Sequence, residues 1–241
     1  MVALIGRGNV ASHLYKALEG KTEVALVNPH TLEDLPAEAD IILICVSDSA
    51  IKSVIERLPE SDALVSHTAG SIPMEIFSEK FKNYGVFYPL QTFTKGIELD
   101  YKKIPVFIEG SSPEVSLKLK KLAASFSEDV READSGKRKS LHLASVFACN
   151  FTNALAGIAE YILREADLDF SAIRPLMRQT LDKLENISPK MAQTGPAARG
   201  DFNVIDAHMK MLENHPELQE IYSNLSDYII RDHKSPNHKS I

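Results

Sequence analysis

Residues 2–11 of the chain read VALIGRGNVA, and this stretch decides the fold. Val2–Ile5 is a short apolar run typical of a strand, and Asn9–Glu19 has the periodicity of a helix. Between them, Gly6 permits a tight turn, Gly8 has no side chain to keep a phosphate away, and a small alanine lets the helix pack on the strand. The free N–H groups at the start of the helix would face the phosphates of a dinucleotide. The residues predicted to contact this cofactor are Gly6, Arg7, Gly8, Asn9 and Val10.

Short apolar runs and helical patterns alternate through the first half of the chain. The run DIILICV at Asp40–Val46 is apolar after its aspartate, as expected of a parallel strand covered on both faces. Such alternation predicts βαβ units and an α/β fold of the Rossmann type, with a doubly wound parallel sheet. The other predicted strands are Glu23–Val27, Ala63–Ser66, Gly85–Tyr88, Ile104–Glu109 and one near Val130, and the other helices are Ser49–Leu58 and Ser112–Phe126.

No strand is predicted after Ser135, so an all-α C-terminal domain follows the sheet. The pattern predicts helices at Leu141–Ala166, Phe170–Leu184, Val204–Leu212 and Pro216–Arg231. The expected organisation is a dinucleotide-binding domain at residues 1–134, a helical substrate and dimerisation domain at 135–231, and a mobile tail at 232–241.

The bulk composition excludes several classes of partner. A net charge of −6 argues against nucleic acid or an anionic membrane as the main partner. The chain has no uninterrupted run of roughly 18 apolar residues and opens on a strand, so no membrane span or signal peptide is expected. Cys45 and Cys149 both lie in apolar runs, and two buried thiols fit a reducing cytoplasm. No set of His, Cys and carboxylates has ligand spacing, so no metal is expected.

The residues after the second strand bear on the choice of cofactor. An acidic residue there bonds the ribose 2′-hydroxyl of NAD, whereas a basic residue accommodates the 2′-phosphate of NADP. The chain has Asn28-Pro29-His30 instead, and the Asn28 amide is able to donate to either group. Since no acid is present, the sequence favours NADP and leaves NAD open.

The residues after the third strand are Val46, Ser47 and Asp48. Ligands of open α/β sheets lie beyond the carboxyl ends of the strands, so this loop is expected to run along the cofactor. Ser47 or Asp48 would alternatively cap the following helix, and one residue is able to do both.

Five segments carry a resemblance that spans almost the whole chain. They are VSDSAI (46–51), HTAGS (67–71), YPLQTF (88–93), HLASVFACNFTNAL (142–155) and TGPAARGD (194–201). On these segments the chain resembles a family of oxidoreductases that join a Rossmann domain to a helical domain of the 6-phosphogluconate dehydrogenase C-terminal type. Pyrroline-5-carboxylate reductase, ketopantoate reductase, prephenate dehydrogenase and deazaflavin-dependent NADP reductase belong to the same superfamily. The resemblance implies a homodimer formed through the helical domain.

The resemblance also implies positions for the cofactor and substrate. Relatives place the segment matching His67–Ser71 near the nicotinamide, which assigns Ala69 and Gly70 to the cofactor. They place the segment matching Tyr88–Thr92 at the mouth of the cleft between the domains. Prephenate dehydrogenases have a histidine-proline pair where this chain has Tyr88-Pro89, so a shared substrate is not implied.

One catalytic residue of the superfamily is missing. Several hydroxyacid dehydrogenases carry a lysine four residues before an asparagine on the first long helix. If Asn150 is that asparagine, the lysine position holds Val146. The mechanism of those enzymes therefore does not transfer to this chain.

Hydride transfer to C=O or C=N requires a proton donor from the protein. On the long helix, His142, Asn150 and Asn153 occur at spacings of eight and three, so all three are expected on one face. We expect His142 and Asn150 to be catalytic and Asn153 to contact substrate. The alternative is a polar contact with a neighbouring helix or a dimer partner.

The remaining candidates lie in loops or at the end of a predicted strand, where function concentrates. His67 is a predicted catalytic residue because histidine exchanges a proton near neutral pH, unless it is an ordinary loop histidine. The predicted substrate residues Tyr88, Gln91 and Thr92 would donate hydrogen bonds, and the last two would alternatively serve the turn itself. Arg199 would bind a substrate carboxylate beside Asp201, or form a structural ion pair with it.

Together these features predict a cytoplasmic NAD(P)-dependent oxidoreductase that reduces a small keto or imino compound in the interdomain cleft. Two alternatives stay open. One is hydride exchange between NADP and a deazaflavin. The other is a dinucleotide-binding sensor or interaction module without turnover, which the missing lysine brings into consideration.

Overall fold

The computed structural model describes residues 1–234 and divides the chain into two compact units. The first unit comprises Met1–Phe151, and the second begins at Thr152. The last strand ends at Glu132 and only helices follow it in the described residues, close to the predicted domain boundary. The first unit extends further because Arg138 and His142, on the next helix, contact the loops and strands of the sheet.

A seven-stranded sheet forms the centre of the first unit. Its strands are β1 (Val2–Ile5), β2 (Val24–Val27), β3 (Ile41–Ile44), β4 (Leu64–His67), β5 (Tyr84–Pro89), β6 (Val106–Gly110) and β7 (Val130–Glu132). Their spatial order is β2-β1-β3-β4-β5-β6-β7. The predicted parallel arrangement is confirmed for β1 to β5. It is wrong for β6 and β7. Strand β6 pairs antiparallel with β5, and β7 pairs parallel with β6, so both run opposite to the other five strands. The chain enters β6 without a crossover helix, which parallel pairing would need.

Different helices cover the two faces of the sheet. Helices α1 (Asn9–Leu18) and α3 (Pro113–Ala124) pack on one face. Helix α2 (Asp48–Arg57) and the 3-10 turn Met74–Phe77 pack on the other. Side chains alternate along a strand, so burial of both faces explains why every residue of β1 is apolar. The ends of β1, β3, β4 and β5 lie together, and we call this side of the sheet the carboxyl edge.

Helix α4 (Ser135–Ser145) follows β7 and changes to a π-helical form over Val146–Phe151. A π-helix forms i→i+5 hydrogen bonds, so it holds more residues per turn than an α-helix. Side chains after such a turn are shifted in phase relative to those before it. The predicted common face of His142, Asn150 and Asn153 therefore rests on a period that this helix does not keep.

The second unit is helical throughout its described part. Its helices are α5 (Thr152–Glu165), α6 (Arg174–Lys183), α7 (Pro189–Ala192), α8 (Pro196–Arg199), α9 (Phe202–Met211) and α10 (Pro216–Lys234). Helix α10 continues to Lys234, so residues 232–234 of the predicted mobile tail are helical. The rest of that predicted tail, 235–241, lies outside the described residues.

The helical run Ser135–Glu165 is long and apolar enough, by length and composition alone, to cross a membrane. Its qualifying window has a mean hydropathy of 1.3, and none of that window is buried within the chain. The expectation of no membrane span overlooked this run, because scattered polar residues interrupt it without greatly lowering its mean hydropathy. Length and composition are weak indications of insertion, and exposed apolar surface also suits contact with another protein.

Candidate active site

The glycine turn leaves open space where a phosphate would lie. Gly6 has φ of +147°, and a side chain there would collide with the carbonyl oxygen of Cys45, so only glycine fits. At Gly8, by contrast, no atom lies within 4 Å of the position that a Cβ would take. The first glycine thus serves the turn itself, and the second keeps a space free.

Three backbone donors lie at the start of α1 beside this space. The first helical hydrogen bond runs from the Ser12 amide to the Gly8 carbonyl at 3.0 Å, which leaves the amides of Asn9, Val10 and Ala11 outside the helical ladder. Gly8 supplies no side-chain cap, and no other acceptor for these amides occurs in residues 1–234. Unpaired donors at the positive end of a helix bind phosphate groups. The residues present therefore fit a dinucleotide.

The loop after β2 is held by a basic residue that the sequence analysis missed. Asn28 follows β2 directly, and its Oδ1 accepts the amide of His30 at 3.0 Å. The Arg57 guanidinium, at the end of α2, donates to the carbonyls of His30 and Pro29, both at 2.7 Å. A positive charge therefore lies beside the loop that bears on the choice between NAD and NADP. No local pattern signals this contact, because Arg57 is 27 residues from His30.

The loops after β3 and β4 are joined at the carboxyl edge. Ser47 is the N-cap residue of α2, but its hydroxyl makes no capping hydrogen bond. The Asp48 carboxylate accepts a hydrogen bond from the Ser71 hydroxyl instead of capping the helix. The Ser47 hydroxyl lies 3.3 Å from the Ser49 hydroxyl, and Asp48 joins its loop to the segment 67–71.

Tyr88 and His142 form the central contact of the candidate site. A hydrogen bond of 3.1 Å joins the Tyr88 hydroxyl to Nδ1 of His142, and the two rings meet edge to face. The His142 ring packs directly on Gly70, since a Cβ at Gly70 would lie 2.8 Å from the ring atoms Cγ and Nδ1. The structure thus brings together three residues that the sequence analysis singled out separately. They come from β5, from α4 and from the loop after β4.

Burial controls the ionisation of Tyr88, which is 8% exposed. Burial raises the pKa of Tyr88, and the negative charge of Asp48 raises it further, while Arg138 opposes both effects. The phenol therefore keeps its proton at neutral pH and serves as a hydrogen-bonding group toward His142.

A buried ion pair anchors α4 to the sheet. Arg138 is fully buried, pairs with Glu109 of β6 and donates to the carbonyl of Ile72 at 2.5 Å. Glu109 also accepts the amide and the hydroxyl of Ser135, both at 2.9 Å. Arg138 lies one helical turn before His142, so the pair fixes the helix face that presents His142. The sequence analysis missed this role, since Arg138 sits in a short basic run that resembles an exposed helix start.

His67, a predicted catalytic residue, lies inside the core. Its side chain is fully buried and stacks on Phe77, with 5.5 Å between ring centroids. Its Nδ1 accepts the amide of Ala69 at 3.2 Å, which holds the loop after β4. Burial, helped by the charge of Arg138, lowers the pKa of His67 to about 4. This position suits a neutral residue that shapes the loop and does not favour proton transfer to a ligand.

Gln91 and Thr92 hydrogen-bond to each other. Gln91 Oε1 accepts both the amide of Thr92 at 2.7 Å and its hydroxyl at 3.2 Å. This is the ordinary turn bonding that the sequence left as an alternative. Both side chains are exposed, and the Gln91 amide nitrogen keeps its donors for a ligand.

The other predicted residues lie at exposed or capping positions. Asn150 is exposed in the π-helical turn, and Asn153 is exposed on α5. Asp201 caps α9 by accepting the amide of Val204 at 3.4 Å. Arg199 is exposed at the end of α8, and the described residues include no ion pair between it and Asp201. The structural ion pair that was one interpretation of this segment is therefore not formed.

The two cysteines differ, and the prediction that both are buried is wrong for Cys149. Both are free thiols; Cys45 is buried and Cys149 is exposed. Burial raises the pKa of Cys45 to about 12, so its thiol is inert near neutral pH. Cys149 lies in the exposed π-helical turn, where an apolar run does not imply burial. Within residues 1–234 no cluster of three or more His, Cys, Asp or Glu is arranged to hold a metal ion.

Comparison with known families identifies the chain. Residues 104–229 match the family described as Domain of unknown function (DUF2520). The chain belongs to this family. No curated protein matches the chain.

Solved structures extend the relationship over the whole chain. A protein of Bacteroides fragilis, provisionally described as an NADP oxidoreductase, is 40% identical, with a TM-score of 0.87 over 95% of this chain and 97% of that chain. A protein of Thermotoga maritima is 22% identical, with a TM-score of 0.73 over 97% of this chain and 98% of that one. An imine reductase of Myxococcus stipitatus, solved with NADP⁺, is 12% identical, with a TM-score of 0.61 over 96% and 92%. The last two matches show the fold alone, a Rossmann domain followed by helices.

Proposed function

We propose that this protein is an NAD(P)-dependent oxidoreductase that reduces a small keto or imino compound. The observation that carries the proposal is the Tyr88–His142 pair at the carboxyl edge of a sheet whose glycine turn fits a dinucleotide. The 40% identical protein of Bacteroides fragilis, provisionally described as an NADP oxidoreductase, supports the same activity. The bound nicotinamide would supply the hydride, and the protein would supply the proton.

The glycine turn would hold the pyrophosphate of the cofactor. The amides of Asn9, Val10 and Ala11 would donate to it, and the open space at Gly8 would admit it. The remaining proposed cofactor residues are Gly6, Arg7, Asn28, Val46, Ser47, Asp48, Ala69 and Gly70. No acidic residue follows β2 directly, and the charge of Arg57 lies beside that loop, so we propose NADP over NAD.

His142 would donate the proton through Nε2. Its Nδ1 is occupied by the Tyr88 hydroxyl, and the described residues offer no partner to Nε2. In the protonated ring, Nδ1–H would donate to the Tyr88 oxygen, and the Nε2 proton would pass to the substrate oxygen or nitrogen as hydride reaches the carbon. The ring would then be neutral with its proton on Nδ1, and it would regain the second proton from solvent. Tyr88 would thus orient the donor, a role that its protonated phenol suits.

Substrate would be held by donors near this pair. In the first unit, the free amide of Gln91 would donate to substrate, and the Thr92 hydroxyl, which donates to Gln91, would accept from it, with Asn150 as an orienting amide. Asn153, Arg199 and Asp201 stay predicted substrate residues of the second unit. In our proposal His67 positions the loop after β4 from within the core.

We propose that the helical region forms a homodimer, which the resemblance implies and the exposed apolar side chains support. Leu176 is 67% exposed, Phe147 63% and Phe202 56% in the single chain. Large apolar side chains with this much exposure are typical of a surface that another protein covers. A second copy would also cover the apolar run Ser135–Glu165, which agrees with a cytoplasmic protein that spans no membrane. Light scattering of the purified protein should give twice the chain mass, and Leu176→Glu should reduce it.

A cofactor titration tests the proposed function. NADPH and NADH are titrated side by side against the purified protein, with nicotinamide fluorescence and thermal shift as readouts. We expect micromolar binding of NADPH and weaker binding of NADH. A panel of keto and imino acceptors is then screened with deuterated NADPH, and deuterium in the product identifies turnover. Absence of binding by both nucleotides would overturn the proposal, and binding without transfer to any acceptor would favour a sensor. Bleaching of a deazaflavin would favour the deazaflavin reductase.

A further inference from the structure

The connection from β5 to β6 is much longer than the fold requires. Antiparallel neighbours can be joined by a two-residue hairpin. Here β5 ends at Pro89 and β6 begins at Val106, so the connection occupies residues 90–105. The connection extends as far as α1, the helix that follows β1, before it enters β6. Strand β1 lies three strands from β5 in the sheet, roughly 14 Å away at the usual strand spacing. A long loop of this kind in a compact unit calls for a functional explanation.

Two side chains of α1 form hydrogen bonds with the part of this loop that reaches the helix. The Asn9 side-chain amide donates to the carbonyl of Phe93 at 2.9 Å. His13 donates from Nε2 to the carbonyl of Thr94 at 2.9 Å, because a carbonyl only accepts. In the neutral ring, Nδ1 then accepts from the Tyr101 hydroxyl at 3.0 Å. The His13 ring also lies 5.1 Å from the ring of Phe93, and His13 is 3% exposed.

His13 therefore anchors this loop at two points, Thr94 and Tyr101. Residues 90–100 are mostly exposed and form few hydrogen bonds among themselves. One imidazole links Thr94, in the middle of this stretch, to Tyr101, directly after it, since the two bond to opposite ring nitrogens. Phenylalanine would keep the ring contact and lose both hydrogen bonds.

The anchoring point lies beside the proposed cofactor site. Asn9 is the first residue of α1, and its backbone amide is one of the three unpaired donors at the glycine turn. The loop starts at the other side of the site, directly after Tyr88 and Pro89 of β5. It carries Gln91 and Thr92 near its start and reaches Asn9 at Phe93. A segment with these two ends borders the space between the proton donor and the phosphate donors.

We infer that His13 is a positioning residue for cofactor binding, because it holds residues 90–100 as a wall of the dinucleotide site. The inference rests on the proposed function. The wall would border the nicotinamide mononucleotide half of the cofactor and would keep Gln91 and Thr92 at the reacting end. The adenosine half, which would lie toward the loop after β2, does not depend on the wall.

Binding of the whole cofactor and of a fragment tests this inference. The wild-type protein and His13→Phe are titrated with NADPH and with adenosine 2′,5′-bisphosphate, which lacks the nicotinamide half. NADH and AMP replace them if NADH is the cofactor that binds. Two lost hydrogen bonds should raise the Kd of the whole cofactor about tenfold. The Kd of the fragment should change less than twofold, and amide exchange of residues 90–100 should rise.

Further variants separate positioning from folding. Tyr101→Phe removes only the Nδ1 bond and should give a smaller loss than His13→Phe. His13→Gln keeps a donor for Thr94 and should recover part of the affinity. His215→Phe is the matched control, because this histidine packs on Tyr161 in the second unit and should leave both Kd values unchanged.

Each outcome decides the inference. Unchanged NADPH binding by His13→Phe would overturn it. Equal weakening of NADPH and the fragment, together with a lower Tm, would show that His13 only supports the fold. If the wild-type protein binds neither probe, the proposed function fails and the inference fails with it. Selective loss of whole-cofactor affinity would support both.

Discussion

The Tyr88 hydroxyl lies 3.1 Å from Nδ1 of His142, although 54 residues separate the two in the chain. Tyr88 belongs to the central sheet, and His142 belongs to the helix that follows the last strand. The contact leaves Nε2 as the free nitrogen of the imidazole among the described residues. The sheet thereby orients the ring, and the helix supplies the group that would transfer a proton.

Substitution of His142 should lower turnover far more than cofactor affinity. His142→Ala should reduce kcat by about 100-fold or more, because general acid catalysis contributes that much, while the Kd of NADPH changes less than threefold. Tyr88→Phe should reduce kcat by about tenfold, since only the orientation of the ring is lost. Steady-state kinetics with an acceptor from the screen and cofactor titration measure both effects.

The second unit offers a matched control for that comparison. Tyr222 and His208 form a similar pair, with the hydroxyl 2.8 Å from Nδ1. Tyr222→Phe removes the same kind of hydrogen bond and should leave kcat unchanged. A loss of Tm without a loss of kcat in the His142 variant would show that this histidine serves only the fold.

Gly8→Val should abolish dinucleotide binding and preserve the fold. The backbone at Gly8 has φ of −81°, which any residue adopts, and no atom lies within 4 Å of the added Cβ. The new side chain would therefore occupy the pyrophosphate position without straining the protein. Gly157→Val is the control, because its Cβ position is also free of atoms within 4 Å. NADPH binding by Gly8→Val at wild-type affinity would contradict the placement of the cofactor.

Loss of Arg138 should destabilise the first unit strongly. Arg138→Met leaves the Glu109 carboxylate, which is 12% exposed, without its fully buried cation, and breaking a buried pair costs about 3–5 kcal/mol. Arg138→Met combined with Glu109→Gln should cost less than the sum of the two single changes, because no charge stays buried. Urea unfolding at pH 7.5 measures these differences. Arg131→Met removes an exposed partner of Asp129 and should have no measurable effect.

His67 should make the protein less stable as the pH falls below about 6.5. Its folded pKa is about 4, below the ordinary value of 6.5, so between these values the unfolded chain binds a proton that the folded chain does not. Stability therefore rises with pH across this window. The full shift corresponds to roughly 3 kcal/mol. His67→Asn should remove this contribution, so the stability gap between variant and wild type should narrow from pH 7.5 to pH 4.5. A constant gap would contradict the assignment.

The sheet was largely predictable because burial on both faces produces local apolar runs. The predicted strand Val2–Ile5 coincides with β1, and the run at Asp40–Val46 contains β3. The direction of β6 was not predictable from a few apolar residues, since strand direction has no signature in composition. The missing helical pattern in residues 90–105 was the one available sign that β6 is not reached by a crossover.

In the candidate site, too, local features were predictable from the sequence and long-range contacts were not. The glycine turn is a local feature, so its residues were found together from the sequence. Tyr88, His142 and Gly70 were each singled out, but their mutual contact depends on tertiary packing. Arg138 and Arg57 were missed because their partners lie far away in the chain, at 29 residues for Glu109 and 27 for His30.

The packing of Gly70 against His142 ties the evolution of one position to the other. A Cβ at Gly70 would lie 2.8 Å from the imidazole, so a larger residue there is tolerated only after the histidine shrinks or moves. In homologues that no longer transfer a proton, selection would not maintain the His142 ring. Selection would then not maintain Gly70 either. Family members that retain both residues should be the ones that still turn over substrate. Family members in which both residues have changed should be dinucleotide-binding sensors. The identities of these two residues therefore indicate which homologues to assay for turnover.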